Sequence, residues 1–166
     1  MSDIHSAKRD GITVGLVGYA SVALFYSAFD FLAARGNLHT VNVLGQAVFR
    51  GLRDPAVLRF PVPLDAGAIF LYNALHLALA LTIGLIVAGL VAFAERHSEQ
   101  RRAIRFIIAA GFVVTVGTIG LLTNSMRPVL PWWSIVVANS LATLLAGAYL
   151  VTRHPGLWRR LALAQA

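Results

Sequence analysis

The run AGAIFLYNALHLALALTIGLIVAGLVAFA, residues 66–94, crosses 29 positions without an aspartate, glutamate, lysine or arginine. A hydrocarbon core takes about 20 helical residues to cross. Three more stretches have the same character: Gly11–Ala34, Ile104–Met126 and Pro131–Thr152. Together with Ala66–Ala94 they give four predicted spans. The whole chain carries the same signature, with 58% apolar and 13% charged residues in 166. Soluble domains sit near 45–50% and 25%, and a chain this short has too little interior to hide the difference. Inside a bilayer every backbone polar group must bond within its own segment, so the spans are helices. The fold class is an all-α integral membrane protein, a four-transmembrane-helix bundle forming one membrane domain over residues 1–166.

Composition excludes several other classes. The absence of cysteine removes a disulfide scaffold. A formal charge of +7, from 14 basic and 7 acidic residues, is a modest excess. In a membrane chain it reads as topology rather than as a phosphate-binding surface, so no nucleic-acid partner is expected. The first span is longer than the about 7–15 residues of a signal-peptide core, and it contains Asp30. It reads as an uncleaved anchor.

Lysine and arginine set the orientation. With the N-terminus inside, the inner segments hold nine of them: Lys8, Arg9, Arg96, Arg101, Arg102, Arg105, Arg153, Arg159 and Arg160. The outer segments hold five: Arg35, Arg50, Arg53, Arg59 and Arg127. Both termini are therefore expected in the cytoplasm of a bacterium, with the chain in its inner membrane. Trp132 and Trp133 suit the outer aromatic belt and Trp158 the inner one.

Two segments lie outside the spans. Within the outer loop Asn37–Asp65, Val41, Val43, Leu44, Ala47, Val48 and Leu52 form a helical apolar face, with Arg50 and Arg53 on the polar side. Pro55, Pro61 and Pro63 then impose an extended return. This predicts a short helix lying on the outer interface. The piece Pro155–Ala164 has the same pattern, with Leu157, Trp158 and Leu161 toward lipid and Arg159 and Arg160 toward anionic headgroups.

Polar side chains within the spans are costly and so carry the most information. Asp30 sits near the outer end of the first span, on one stripe with Tyr19 and Tyr26. Asn73 and His76, three apart, share a face of the second span about 10–15 Å deep. Asn124 and Arg127 end the third, and Ser134 and Asn139 lie in the outer part of the fourth. The inner half is nearly bare: Leu77–Ala94 offers only Thr82, and Leu144–Val151 only Tyr149. Thr115 and Thr118 can bond to their own helix. The expectation is that Asp30, Asn73, His76, Arg127 and Asn139 meet in one outward-opening polar cluster, as a ligand site or as structural glue. In the structural version Asp30 pairs with Arg127, and Asn73 with Asn139 across helices.

No catalytic or metal signature stands beside this cluster. His76 is the one histidine within a span, so bis-histidine haem ligation lacks its second ligand. There is no metalloprotease, CxxC or phosphate-loop motif, and the Asp30/His76 pair lacks a nucleophile. No cofactor is expected. Gly11 and Gly15, followed by Gly18, form a small-residue face on the first span, suited to packing inside the bundle or to a partner helix.

Three functions fit this inventory. The first is a non-enzymatic structural or accessory subunit of a larger membrane complex, whose partners are the bilayer and another membrane protein. The second is a small homo-oligomeric transporter or channel with an outward-facing vestibule, although a bare inner half gives no continuous path within one chain. The third is a quinol-binding or other membrane enzyme subunit.

Overall fold

The computed structural model describes residues 2–155 other than Arg53, Pro55, Arg59, Pro128 and Val129. The regular structure of these residues is helical: α1 (Ser2–Leu32), α2 (His39–Phe49), α3 (Ala66–Arg96), α4 (Arg101–Leu122) and α5 (Trp132–Arg153). Single 3-10 turns at Ser98–Gln100 and Asn124–Met126 flank α4. Four of the helices, all but α2, are long and apolar enough to cross a membrane. They match the expected spans with shifted ends. The first helix starts at Ser2 rather than Gly11, because helical hydrogen bonding has no reason to stop where an apolar run does. The third span ends at Leu122, and Met126 belongs to a separate turn. The segment Pro155–Ala164 lies, from residue 156 onward, outside the described residues.

The central helix is α1. It packs heavily on α3 and on α5, while α4 sits across the bundle from it in lighter contact with α3 and α5. The closest approach is between α1 and α3. A Cβ on Gly11 would stand 2.8 Å from the Leu85 Cα, and one on Gly15 would stand 2.7 Å from the Leu81 Cα. Gly84 answers from α3, where a Cβ would meet the Gly15 Cα at 2.8 Å. Three glycines thus let two backbones touch, which maximises dispersion contact between them. Gly18 meets open space and takes no part.

Apolar contacts close each end. At the end holding the N-terminus, Val14, Val91, Ala94, Ile104 and Leu150 form a buried cluster drawn from all four long helices. At the other end Val43, Ala47, Leu58 and Met126 bury against one another, seating α2 over the turn that follows α4.

The segment between α1 and α3 is a bonded cap. Asn42 donates from Nδ2 to the Pro63 carbonyl (3.0 Å) and accepts at Oδ1 from the Asp65 N–H and from Gln46 Nε2 (both 3.0 Å). Gln46 Nε2 also reaches the Pro63 carbonyl at 2.9 Å. Asp65 caps α3 by accepting from the Ala68 N–H (2.8 Å) and pairs with Arg50 through two bonds of 2.8 and 3.3 Å. At the end of α2, Gly51 takes φ +69°, and the Leu52 N–H reaches back to the Gln46 carbonyl. The left-handed backbone at that stop favours glycine. The polar face of α2 is therefore not turned wholly to water. Arg50 is exposed as expected, but Asn42 and Gln46 are buried because their amides satisfy the proline-bearing return strand, which has lost donors of its own.

Candidate functional site

Asp30 is 1% exposed, and its carboxylate is fully engaged. It accepts from the Thr40 backbone N–H (2.5 Å), the Thr40 hydroxyl (2.7 Å) and Arg35 Nη2 (3.2 Å). Thr40 lies in the first turn of α2, and Leu38 before it supplies no side-chain cap. Asp30 therefore caps α2 from the end of α1, placing negative charge at a helix N-terminus where it is favourable. Its basic partner is Arg35 and not Arg127. The chain turns sharply after Leu32, with Ala34 at φ 55°, and brings Arg35 back over the carboxylate and over the Phe29 ring. Arg127 follows α4, across the bundle from α1. It is exposed, and its side chain makes no ion pair among the described residues.

The other expected residues divide between two places. Asn73 and His76 meet around Tyr19, whose hydroxyl donates to Asn73 Oδ1 at 2.9 Å and whose ring lies 5.2 Å from the His76 ring. Tyr72 flanks His76 at 6.1 Å. Asn139 instead bonds its own helix, donating to the Ile135 carbonyl at 2.8 Å, and Asn73 bonds Tyr19, so the two asparagines are not bonded to each other. Among the described residues no hydrogen bond or ion pair joins any two of Asp30, Asn73, His76, Arg127 and Asn139. Thr115 bonds the Gly111 carbonyl on its own helix, as anticipated.

Tyr19 stands nine residues from Asp10 and eleven from Asp30 on the same helix, about 14 and 16 Å at 1.5 Å per residue. His76 beside it is thus near the middle of the bundle rather than toward one end. Its imidazole is half-buried and makes no hydrogen bond among the described residues. Between this site and Asp30, Tyr26 meets Ser134 of α5 at 3.3 Å, and Phe29 packs edge-on to Trp133.

The end of the bundle read as bare of polar groups is not bare. Asp10, 2% exposed, accepts from the Tyr149 hydroxyl at 2.8 Å and contacts Arg153 Nε and His154 Nε2, each at 3.4 Å. His154 continues through Nδ1 to Glu95 Oε1 at 2.9 Å. The network joins the start of α1 to the ends of α3 and α5. Sequence reading missed it by starting the first span one residue after Asp10. The available signal was the pairing of an acid at the beginning of one helix with Arg-His at the end of another.

The arrangement is an all-helical bundle with four candidate spans, each end tied by a buried carboxylate on α1 and the middle carrying one unbonded imidazole between tyrosines. No family model, curated protein or solved structure matches the chain.

Proposed function

We propose that the chain is an integral protein of a bacterial inner membrane, with both termini cytoplasmic, and that it serves as a non-enzymatic accessory subunit of a larger membrane assembly. The observation that carries this is His76. It stands a third of the way along α3, level with Tyr19 in the middle of α1, and is partly exposed, with no hydrogen-bond partner among the described residues. At that depth a bilayer has no water to supply one, and an unsatisfied polar group there costs several kcal/mol. A helix of a neighbouring protein offering an acceptor removes that cost, with Tyr19 and Tyr72 as the surrounding contact surface. Two features support the same reading. The buried carboxylates, which a proton path would draw on, are engaged in holding the chain's own ends together. The lightly held α4 carries Gly111 and Gly117, each facing open space, as a close-packing face for another helix.

The test is co-purification in mild detergent at native expression level. The expected result is a heterologous membrane protein at fixed stoichiometry, lost by more than tenfold in His76→Phe while the thermal midpoint of the isolated chain stays unchanged. A pure homo-oligomer would replace this reading with the transporter, and a bound chromophore would replace it with the quinol-linked enzyme.

A further inference from the structure

His39, the first residue of α2, is buried, and its Nε2 meets no hydrogen-bond partner among the described residues. Phe60 packs edge-on to the ring, so an aromatic face stands where water would solvate a charge. Two charged side chains act on the imidazole, Arg35 against a proton and Asp30 in favour of one. The Asp30 carboxylate is already taken up by the Thr40 N–H, the Thr40 hydroxyl and Arg35. The N-terminal end of α2 adds its own partial positive charge. Burial first and Arg35 second hold the ring below its usual titration range.

The two halves of α2 are tied to different neighbours. Its start is joined to the end of α1 through Thr40 and Asp30. From Asn42 onward it is joined to α3 and the segment leading into it. Asn42 and Gln46 bond the Pro63 carbonyl, and Arg50 pairs with Asp65. Gly45 lies against α3 backbone, where a Cβ would stand 2.7 Å from the Ala68 carbonyl carbon. The link between α1 and α2, residues 33–38, is mostly exposed and turns at Gly36 (φ +75°), which has open space around it. The start of α2 is therefore free to leave α1 while the rest of the helix stays on α3.

We propose that His39 is a proton-operated release, which frees the start of α2 from the end of α1 in mild acid while the later turns of α2 remain on α3. An imidazolium at this position sets a second full positive charge beside Arg35, with one carboxylate between them whose bonds are already made. Keeping such a charge buried without a partner is costly. Moving residues 39–41 into water removes that cost at the expense of the Asp30–Thr40 bonds, and it opens the buried Asp30 carboxylate to solvent. The release uses contacts within the chain and is independent of the partner reading above.

The test is amide hydrogen exchange of the full chain in detergent at pH 7.5 and 5.5, each corrected for the intrinsic rate at that pH. In the wild type, protection of residues 39–42 is expected to fall at least tenfold at pH 5.5, while residues 46–49 and 69–72 keep theirs. In His39→Phe, a neutral ring of similar size, protection of residues 39–42 should be the same at both pH values. His39→Gln, neutral and still polar, should behave alike and supplies the comparison where the phenylalanine variant does not fold. Wild-type protection at residues 39–42 that ignores pH would overturn the release, as would an equal fall in the variants. Equal loss over residues 46–49 would overturn the hinge on α3 and the proposal with it.

Discussion

Asp10 and Asp30 lie on one uninterrupted helix, twenty residues apart, and both are buried. At 1.5 Å per residue the separation is about 30 Å, the thickness of a hydrocarbon core. Each carboxylate binds whatever part of the chain arrives at its level. Asp10 takes the ends of α5 and, through His154, of α3. Asp30 takes the start of α2 and the turn containing Arg35. Between them α1 meets its neighbours through glycine and apolar side chains and through two hydroxyls, Tyr19 to Asn73 and Tyr26 to Ser134. Each carboxylate is satisfied from within the chain, and α1 sets the distance between the two levels.

Removing the Asp30 carboxylate should therefore loosen the α2 cap. Asp30→Ala leaves the Thr40 N–H, its hydroxyl and Arg35 without their acceptor, a loss of about 3–5 kcal/mol for a buried charged group. Arg127→Ala should change stability by less than about 0.5 kcal/mol, as for an exposed side chain with no ion pair among the described residues. Thermal unfolding in detergent compares the two directly. A larger loss from Arg127→Ala than from Asp30→Ala would contradict the observed pairing.

At the opposite level Tyr149→Phe removes one hydrogen bond to a buried carboxylate and should cost about 1.5–3 kcal/mol. Adding Asp10→Asn to this variant should cost less than Asp10→Asn alone, because the two side chains share one interaction. A double-mutant cycle on thermal midpoints measures the coupling. Strict additivity would separate the pair.

Gly84→Leu should be among the most damaging substitutions in the chain, since a side chain there meets α1 backbone and not a movable rotamer. Overpacking of this kind costs about 3 kcal/mol. Gly18→Ala has room for its methyl and should stabilise by up to about 1 kcal/mol through helix propensity. Opposite signs for the two, in the same unfolding assay, would locate the helix crossing at Gly84.

How much of this was legible in the sequence depends on what each residue answers to. The four long helices were readable because an apolar run as long as residues 66–94 leaves few alternatives to a helix. The Gly11/Gly15 face was readable by spacing, but its partner Gly84 was not, since nothing in the sequence fixes which faces of two apolar helices meet. Asp30 stood out as a charge inside a span, yet its partner was set by a five-residue turn that brings Arg35 back, a purely local event obscured by looking for a partner on another helix. Asn42 and Gln46 drew no reading from the sequence, because the Pro63 carbonyl that their amides meet lies in a segment with no periodicity. The Asp10 network was hidden by a boundary drawn from hydropathy, which marks where apolar residues begin and not where a helix does.

The α2 cap should also respond to acid. His39 opens α2, is 4% exposed and packs against Phe60. Burial first and the positive Arg35 second hold its imidazole below the usual 6.5, with Asp30 acting in the opposite sense. A histidine whose folded pKa is lowered binds fewer protons in the folded state. Stability is then full above the unfolded value and falls as pH drops from about 6.5 through the lowered one. Asp65 contributes only further down. The Arg50 hydrogen bond first, then the Ala68 N–H, lower it below 3.8, so its share is lost only as pH falls through that lowered value. The thermal midpoint of the wild type should drop between pH 7.5 and 5.5, and that of His39→Phe should drop less. Equal slopes would remove His39 from the account.

Orientation can be tested with the same landmarks. The Asp10–Arg153 and His154–Glu95 contacts put the start of α1, the end of α3 and the end of α5 at one level. Asn37, the α2 cap and the Trp132–Trp133 pair belong to the other. Nine of fourteen lysines and arginines were counted on the first side and five on the second, and basic residues are retained in the cytoplasm. The chain has no cysteine, so Ser98→Cys and Asn37→Cys each introduce a single reactive thiol. In intact cells a membrane-impermeant maleimide should label Asn37→Cys and spare Ser98→Cys until the membrane is opened. The reverse pattern would turn the bundle over. It would leave every contact within the chain unchanged.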